Sequence, residues 1–266
     1  MRKVIDAKPY DSDKSQTFYL EIYEEYFEPF VNKEMKLLEL GVYKGGSLLL
    51  WRDYFEKGTI VGLDINPVSI EDPSGRIHVY QGYQQDTKLL DRIAMEQAPD
   101  GFDVIIDDCS HMGELTRISF WHLFENHLKP GGIYAIEDFG VGYLDDWPDG
   151  KSLELGVNDK PFWLRSCIIP AMQRAFNRVL YLPCPPRLKP RLQQFVSSFG
   201  TRSSRVANKK IIPSHMYGMV GFVKELVDAC SLNAMEAHWG GGPRRPSNIA
   251  RLHISPSLAI AVKSQQ

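Results

Sequence analysis

The sequence is poor in cysteine and has no paired cysteine motif. Its four cysteines, Cys109, Cys167, Cys184 and Cys230, are far apart and form no CxxC pair. This spacing argues against a cysteine-based zinc site and against a redox-active dithiol. It is typical of reduced thiols, so we expect a cytoplasmic protein.

Long apolar runs and an excess of either charge are also missing. The opening MRKVIDAKPYDSDKSQ has no apolar segment like that of a signal peptide, and no stretch approaches the ~18 apolar residues that cross a bilayer. Lys and Arg number 31 against 33 Asp and Glu, which gives a net charge of −2. We therefore expect no membrane span and no nucleic-acid partner, because phosphate binding depends on clustered positive charge.

What the sequence does have is an alternation of apolar runs and helix-like stretches. The runs KLLELGV, TIVGLDI, DVIIDD and IYAIEDF are nearly continuous in apolar residues, which is typical of parallel strands covered by helices on both faces. We expect an α/β fold with a doubly wound, mostly parallel, Rossmann-like sheet of seven strands. The pattern also predicts a KPGG turn at 129–132 and one late strand within 253–264.

The chain divides into an N-terminal segment and a main domain. Residues 1–34 are predicted to form a helical segment that acts as a cap or an oligomer contact, and residues 35–266 to form the main domain. An insertion of about 140–210 interrupts the regular pattern as a lid or loop region. It includes a predicted amphipathic helix from about Trp163 to Val179. Its basic part, 184–210, is either a solvated insertion or a contact for a partner or an anionic substrate.

A glycine-bearing turn follows the first predicted strand. It reads Glu39-Leu40-Gly41-Val42-Tyr43-Lys44-Gly45-Gly46, and Asp64 closes the second strand. Glycines let the backbone pass close to a ligand, and an acid after the second strand can accept hydrogen bonds from a ribose. The pattern indicates a cofactor that contains a nucleoside. The spacing is not the dinucleotide fingerprint GxGxxG, and a plain tight turn is the alternative.

Acidic residues follow the fourth and fifth predicted strands. Asp107, Asp108 and His111 come after the fourth, and Glu137 and Asp138 after the fifth. Converging carboxylates repel each other unless a cation neutralises them, and hard oxygen ligands favour Mg²⁺. A nearby imidazole could remove a proton from a hydroxyl. The alternatives are that the acids cap helices and that His111 is a surface or capping histidine.

These motifs resemble those of class I S-adenosylmethionine-dependent methyltransferases. ELGVYKGGS with LDI is similar to their motifs I and II, although Tyr43 stands where a glycine is usual. The DDCSH and ED strand ends resemble the metal-dependent macrolide sugar O-methyltransferases, which are mycinamicin methyltransferase-like, and the related cephalosporin hydroxylase-like family. Cys109 replaces the common glycine of that signature. The resemblance runs from about Tyr10 to Phe139 and includes the C-terminal strand.

The resemblance implies a role for each matching residue. Asp108, Glu137 and Asp138 would ligate Mg²⁺ or another divalent cation, and His111 would be the general base. The residues implied to contact S-adenosyl-L-methionine are Glu39, Gly41, Gly45, Asp64, Gln81, Asp86 and Asp107.

The expected function is therefore a metal-dependent O-methyltransferase that uses S-adenosyl-L-methionine. Its acceptor would be a hydroxyl of a sugar, a glycosylated natural product or a glycan, and relatives of this kind imply a homo-oligomer. One alternative is an O-methyltransferase of a catechol-like or other vicinal diol. Others are an NAD-dependent oxidoreductase on a similar fold and a non-catalytic binding protein that retains the fold.

Overall fold

A computed structural model describes most of the chain. The residues described are 2–16, 18–144, 146–151, 216, 218–239 and 247–265, with the backbone alone for 15–16 and 233–239. They belong to one compact unit made of Met1–Ser152 and His215–Gln266. The amphipathic stretch at 163–179, the basic part at 184–210 and most of the 140–210 insertion lie outside the described residues.

Seven strands form one mixed sheet. Their bounds are β1 Lys36–Leu40, β2 Thr59–Asp64, β3 Ile77–Gln81, β4 Phe102–Asp107, β5 Leu128–Ile136, β6 Ile249–Ser255 and β7 Leu258–Lys263. The strand order is β3-β2-β1-β4-β5-β7-β6. The first five strands in this order are parallel, whereas β7 runs antiparallel to both of its neighbours. The predicted α/β, mostly parallel, doubly wound sheet of seven strands is confirmed.

Helices alternate with the strands. The described helices are α1 Tyr19–Phe27, α2 Gly46–Tyr54, α3 Thr87–Gln97, α4 Gly113–Asn126, α5 Pro148–Lys151 and α6 Gly218–Trp239, with 3₁₀ turns at Asp13–Gln16, Glu28–Phe30 and Phe139–Tyr143. The bounds of α3 follow from local chemistry, because the Asp86 side chain accepts a hydrogen bond from Leu89 N at its start. Among the described helices, none combines the length and the apolarity that crossing a membrane requires.

The sheet carries a hydrophobic core on each face. On one face, side chains such as Leu38 and Ile105 pack with α3, α4 and α6. On the other face, the residues that alternate with these along the same strands, such as Leu37 and Val104, pack with α1 and α2. The buried side of α1 consists of Tyr19, Tyr23 and Phe27, whose i, i+4 spacing aligns them on one side of the helix. The N-terminal segment therefore adds its own layer to the core.

Two local predictions were wrong. The KPGG sequence at 129–132 lies inside β5 rather than in a turn before it, and Gly131 adopts a φ of +74° there. The C-terminal region holds a hairpin of two strands rather than one strand. Ser257, with a φ of +62°, makes the tight turn between β6 and β7.

The register of the parallel strands aligns their carboxyl ends along one edge of the sheet. Leu40 at the end of β1 is opposite both Leu63 and Asp107. The pairing continues beyond the strands, because Asp108 N donates to Leu40 O at 2.9 Å and Glu137 N donates to Asp107 O at 2.9 Å. The strand order reverses between β1 and β4, and in open α/β sheets this is where ligands bind.

Candidate functional site

A cavity of about 800 Å³ opens at the carboxyl edge of the sheet. It is lined by the segments 11–14, 41–44, 46–47, 64–66, 82–85 and 108–111, together with Leu115 and Asp138. These segments follow β1, β2, β3 and β4 or belong to the N-terminal region. The volume is within the range of about 300–1,000 Å³ that is usual for small-molecule and cofactor sites.

The glycine turn after β1 passes directly beneath the loop that follows β4. Gly41 has a φ of +87°, and a Cβ there would lie 2.0 Å from the carbonyl oxygen of Asp108. No side chain fits at such a distance, so the close approach of the two loops depends on glycine. Gly45, with a φ of +89°, is the residue before α2 and packs against Ile70. Both glycines thus have the positions that the sequence predicted around a βα turn.

Asp64 ties the end of β2 to this turn. Its Oδ2 accepts hydrogen bonds from Val42 N and Tyr43 N, each at 2.9 Å, and its Oδ1 accepts one from Asn66 N at 2.8 Å. The carboxylate also lines the cavity. Asp64 therefore lies where the sequence placed the ribose acid, and it holds the turn in shape as well.

Glu39 lies at the same edge but is fully buried. Ser47 Oγ donates to its Oε2 at 2.7 Å, and Trp51 Nε1 donates to its Oε1 at 3.4 Å. Burial raises the pKa of Glu39, while the Lys14 ammonium and the Ser47 hydroxyl act to lower it. Its role at the cofactor stays a prediction.

The acidic ends of β4 and β5 meet at the cavity. Asp108, His111 and Asp138 each offer a ligand atom, and these atoms lie within 4.8 Å of one another. His111 Nε2 is 3.9 Å from Asp108 Oδ1, and the ring packs edge-on against Trp147. His111 Nδ1 is buried, and no described residue hydrogen-bonds to it. The structure therefore brings together the predicted base and two of the three predicted metal ligands.

Two of these residues have a left-handed backbone. His111 has a φ of +52° and Asp138 a φ of +54°. Such conformations cost non-glycine residues on the order of 1–3 kcal/mol and cluster at functional sites. Asp138 is further fixed by the Tyr19 hydroxyl, which donates to its Oδ1.

The third predicted ligand, Glu137, points to a buried lysine. Lys14 Nζ lies 2.8 Å from Glu137 Oε1, 3.0 Å from Asp108 Oδ2 and 3.4 Å from Glu39 Oε1. We call these four residues the Lys14 cluster. Tyr23 OH also donates to Glu137, at 2.7 Å. Burial lowers the pKa of Lys14, but the three carboxylates raise it by more, so the ammonium keeps its charge.

Asp108 joins the Lys14 cluster to the cavity group. Its Oδ2 faces Lys14 and its Oδ1 faces His111. One internal cation thus neutralises part of the acidic charge, and the carboxylates of Asp108 and Asp138 remain beside the cavity. The assignment of Glu137 as a metal ligand stays a prediction.

The remaining predicted cofactor residues are held by neighbouring protein groups. Asp107 is buried and accepts hydrogen bonds from Ser119 Oγ at 3.1 Å and Tyr134 OH at 3.0 Å. Burial raises the pKa of Asp107 to about 7. Gln81 Nε2 donates to the Ile65 carbonyl at 3.2 Å, and Asp86 caps α3. Their contacts with a cofactor stay predictions.

Residues that the sequence did not single out also shape the site. Gln84 lines the cavity, donates to Asp107 at 3.3 Å and accepts from Ser110 N at 3.1 Å, so it links the loops after β3 and β4. Lys14 and Tyr19 come from the N-terminal segment. The sequence carried no signal for these long-range contacts, although a glutamine just after a strand end could have been considered.

The donor set at the cavity fits a divalent cation. The carboxylates of Asp108 and Asp138 approach one point beside the His111 imidazole, and the adjoining cavity has room for water or for an acceptor hydroxyl. Oxygen ligands of this kind suit Mg²⁺, which usually keeps several of its waters.

Comparison with known proteins assigns the family. The sequence profile described as Methyltransferase domain matches residues 31–165, which is half of the 266 residues. The chain belongs to this methyltransferase domain family. The matched region contains the glycine turn, Asp64 and the acidic ends of β4 and β5, so the domain's family and its predicted motifs agree.

Two relatives of this methyltransferase domain are named as O-methyltransferases. The chain is 35% identical over 212 residues to mycinamicin VI 2''-O-methyltransferase of Micromonospora griseorubida. This match covers 76% of the chain and 47% of the relative. The chain is also 31% identical over 216 residues to demethylmacrocin O-methyltransferase of Streptomyces fradiae, and that match covers 78% of the chain and 48% of the relative. The chain spans about half the length of these relatives.

A solved structure has a similar fold. The MycE methyltransferase of the mycinamycin biosynthetic pathway, in complex with Mg, SAH and mycinamycin VI, superposes with a TM-score of 0.60 at 26% identity. The match covers 93% of this chain and 49% of MycE. The seven-stranded methyltransferase fold is therefore shared with MycE.

Proposed function

We propose that the chain is a divalent-metal-dependent O-methyltransferase that uses S-adenosyl-L-methionine. The observation that carries the proposal is the meeting of Asp108, His111 and Asp138 at a cavity beside the glycine turn of a methyltransferase domain. A methyltransferase domain favours this activity over the NAD-dependent oxidoreductase. The complex of MycE with Mg and SAH supports the same pair of cofactors here.

The cofactor would lie along the glycine turn. Gly41 and Asp64 both line the cavity, and the loop after β3 supplies Tyr83, an exposed aromatic side chain that also lines it. Asp64 would accept hydrogen bonds from the ribose hydroxyls, because acids at this position bind ribose in related nucleotide sites. Glu39, Gly45, Gln81, Asp86 and Asp107 would support this binding from the turn and the neighbouring loops.

The chemistry would occur next to the cavity carboxylates. A divalent ion held by Asp108 and Asp138, with Glu137 as the third predicted ligand, would lower the pKa of an acceptor hydroxyl. S-adenosyl-L-methionine would supply the methyl group: its C–S bond would break with the electron pair left on sulfur as the bond to the hydroxyl oxygen forms, giving S-adenosyl-L-homocysteine. His111 Nε2 would accept the hydroxyl proton. The protein's part is to align donor and acceptor and to accept the proton.

The acceptor would be a hydroxyl of a sugar on a natural product or glycan. The support comes from relatives named for such sites, including L-olivosyl-oleandolide 3-O-methyltransferase of Streptomyces antibioticus, which is 33% identical over 152 residues. A catechol or another vicinal diol is the alternative, since it could also chelate the ion. Incubation with demethylated glycosylated macrolides, rhamnosylated aromatic polyketides and catechols, read by a mass increase of one CH₂, distinguishes them.

The base assignment is tested by His111→Asn. Asparagine tolerates a positive φ better than alanine, so this variant keeps the backbone at a position where φ is +52°. We expect kcat to fall by about 10²–10⁴-fold, the usual contribution of a general base, with S-adenosyl-L-homocysteine affinity nearly unchanged in calorimetry.

His78→Gln is the matched control, because His78 lies on β3 away from the cavity, and it should keep wild-type turnover. Unchanged turnover in His111→Asn would remove the base assignment. Loss of cofactor binding in that variant would place His111 in the cofactor site instead.

We also propose a cytoplasmic homo-oligomer that acts on small molecules or glycans and not on nucleic acid. The free thiols Cys109 and Cys230 and the net charge of −2 support the location and the partner class. Phe18, which is 86% exposed at the start of α1, supports an oligomer contact in the N-terminal segment. Light scattering of wild type and Phe18→Ser would test the assembly, and a monomer at working concentrations would contradict it.

A further inference from the structure

Three side chains of types that can ligate a metal meet, partly exposed, between α3 and the end of α4. Asp91 belongs to α3, His122 to α4, and His127 follows α4 directly. His122 Nε2 lies 2.7 Å and His127 Nε2 lies 2.6 Å from the same atom, Asp91 Oδ1. The ligand atoms of all three lie within 4.8 Å of one another.

The backbones that carry both imidazoles are fixed by secondary structure and its hydrogen bonds. His122 is inside α4, and His127 is anchored at both backbone groups: its N–H donates to Leu123 O at 2.9 Å, and its carbonyl accepts from Phe102 N at 2.7 Å. The two ring centroids are 5.4 Å apart. Ligands that rigid elements hold in place bind a metal with little further ordering.

We propose that Asp91, His122 and His127 form a second metal site, for a divalent transition metal of which Zn²⁺ is the best fit. Two imidazoles and one carboxylate are a ligand set that Zn²⁺ accepts, with water in the fourth position. The Asp91 side chain is 43% exposed, so solvent can reach that position. Each Nε2 would bind in the neutral tautomer with its proton on Nδ1.

Zinc binding would require the two contacts to Asp91 to open slightly. Zn–N and Zn–O bonds of about 2.0–2.2 Å place tetrahedral ligand atoms about 3.3 Å apart. The two contacts to Asp91 Oδ1, now 2.7 and 2.6 Å, would therefore lengthen by about 0.6 Å.

The site is remote from the cavity and would have a structural role. α4 has 14 residues and is thus ~21 Å long, with the cavity near its start and this site at its end. None of the three residues lines the cavity. A bound ion would join α3 to the end of α4 and stabilise the folded state, because the unfolded chain lacks the assembled ligands.

The test is zinc binding and thermal stability of the purified protein in excess Mg²⁺ and S-adenosyl-L-homocysteine. Wild type should bind ZnCl₂ by calorimetry, and at about 100-fold excess over Kd its Tm should rise by roughly 5 °C. Asp91→Asn and His127→Gln should each weaken this Zn²⁺ binding at least about tenfold and abolish the Tm rise, since one of three protein ligands is lost.

Controls make the result specific to these residues. His78→Gln removes a histidine outside the site and should behave as wild type. Circular dichroism and cofactor binding show that each variant is folded, and Asp91→Asn, a near-isosteric change, keeps the test valid if a histidine variant unfolds. The proposal is overturned if wild type binds no Zn²⁺ below millimolar concentration. It is equally overturned if Asp91→Asn and His127→Gln bind Zn²⁺ as wild type does, which would place the ion at the cavity carboxylates.

Discussion

Replacing Lys14 by methionine should strongly destabilise the protein. Lys14 is 1% exposed, and its ammonium lies within 3.4 Å of the carboxylates of Glu39, Asp108 and Glu137. Methionine has a similar length and flexibility, so the change removes the charge and leaves little empty volume. Three carboxylates would then share one site without their internal cation.

The size of the effect follows from the burial of the partners. Breaking a buried ion pair by removing one partner typically costs about 3–5 kcal/mol, because the other charge is left uncompensated. Glu39 and Glu137 are almost fully buried, whereas Asp108 is 18% exposed and keeps some hydration. We therefore expect a loss near the lower end, about 3 kcal/mol, which corresponds to a Tm lower by roughly 6–12 °C.

Urea and thermal unfolding, followed by circular dichroism without added metal, measure this loss. Lys44→Met is the matched control. Lys44 pairs at 3.2 Å with Asp11, which belongs to the same N-terminal segment as Lys14, but this pair is exposed to solvent, where ion pairs contribute little to stability. It should leave the urea midpoint unchanged.

A second variant separates lost charge from lost packing. Adding Glu137→Gln to Lys14→Met removes one uncompensated carboxylate and should recover about half of the lost stability, as coupled neighbours do in double-mutant cycles. A Lys14→Met protein as stable as wild type would refute the buried cluster. The same conclusion would follow if the double variant were less stable than wild type by the summed cost of the two single changes, because the two residues would then not be coupled.

Three further outcomes are expected at separate positions. Asp72→Asn should cost about 1–3 kcal/mol in urea unfolding at pH 7, because three backbone amides and a guanidinium donate to Asp72. Burial raises the pKa of Asp72, but the Ser74 hydroxyl, which also donates to it, and these donors lower it by more. The stabilisation is therefore present above the unfolded pKa of about 3.9 and is lost at more acidic pH, where the variant should approach wild type. Gly41→Ala places a Cβ 2.0 Å from the Asp108 carbonyl and should reduce turnover about 10²-fold through misalignment, whereas an active variant would contradict the close approach. Tyr19→Phe removes the hydroxyl that donates to Asp138 and should lower kcat about tenfold, for a charge-assisted bond of about 1.5 kcal/mol; unchanged kinetics would show that Asp138 needs no such support.

The inner strands β1, β2 and β4 were predictable because they are buried on both faces. KLLEL, TIVGLD and FDVIID are apolar enough to indicate strands without reference to their neighbours. Parallel register then brings their carboxyl ends to one edge, so Gly41, Asp64 and Asp108 could be placed together in advance. The local sequence was sufficient to place a site residue wherever that residue lies in one strand or in the turn that directly follows it.

Contacts between distant segments were not predictable in this way. Lys14 is 94 residues from Asp108 and 123 from Glu137, and nothing near Lys14 in the sequence marks it as buried. The alternation of side chains along a strand offered a partial signal, since Asp107 and Asp108 have different environments: one is in the core and the other at the cavity. The hairpin of β6 and β7 was missed because Ser257, not glycine, adopts the positive φ of its turn.

The decisive measurement is whether methyl transfer depends on a divalent ion. Methyl transfer from S-adenosyl-L-methionine to glycosylated acceptors would be measured by mass spectrometry after treatment with EDTA, and again after Mg²⁺ is added back in excess. We expect transfer to stop with EDTA and to return with Mg²⁺, because the carboxylates of Asp108 and Asp138 face one point at the cavity. Full activity in excess EDTA would contradict it.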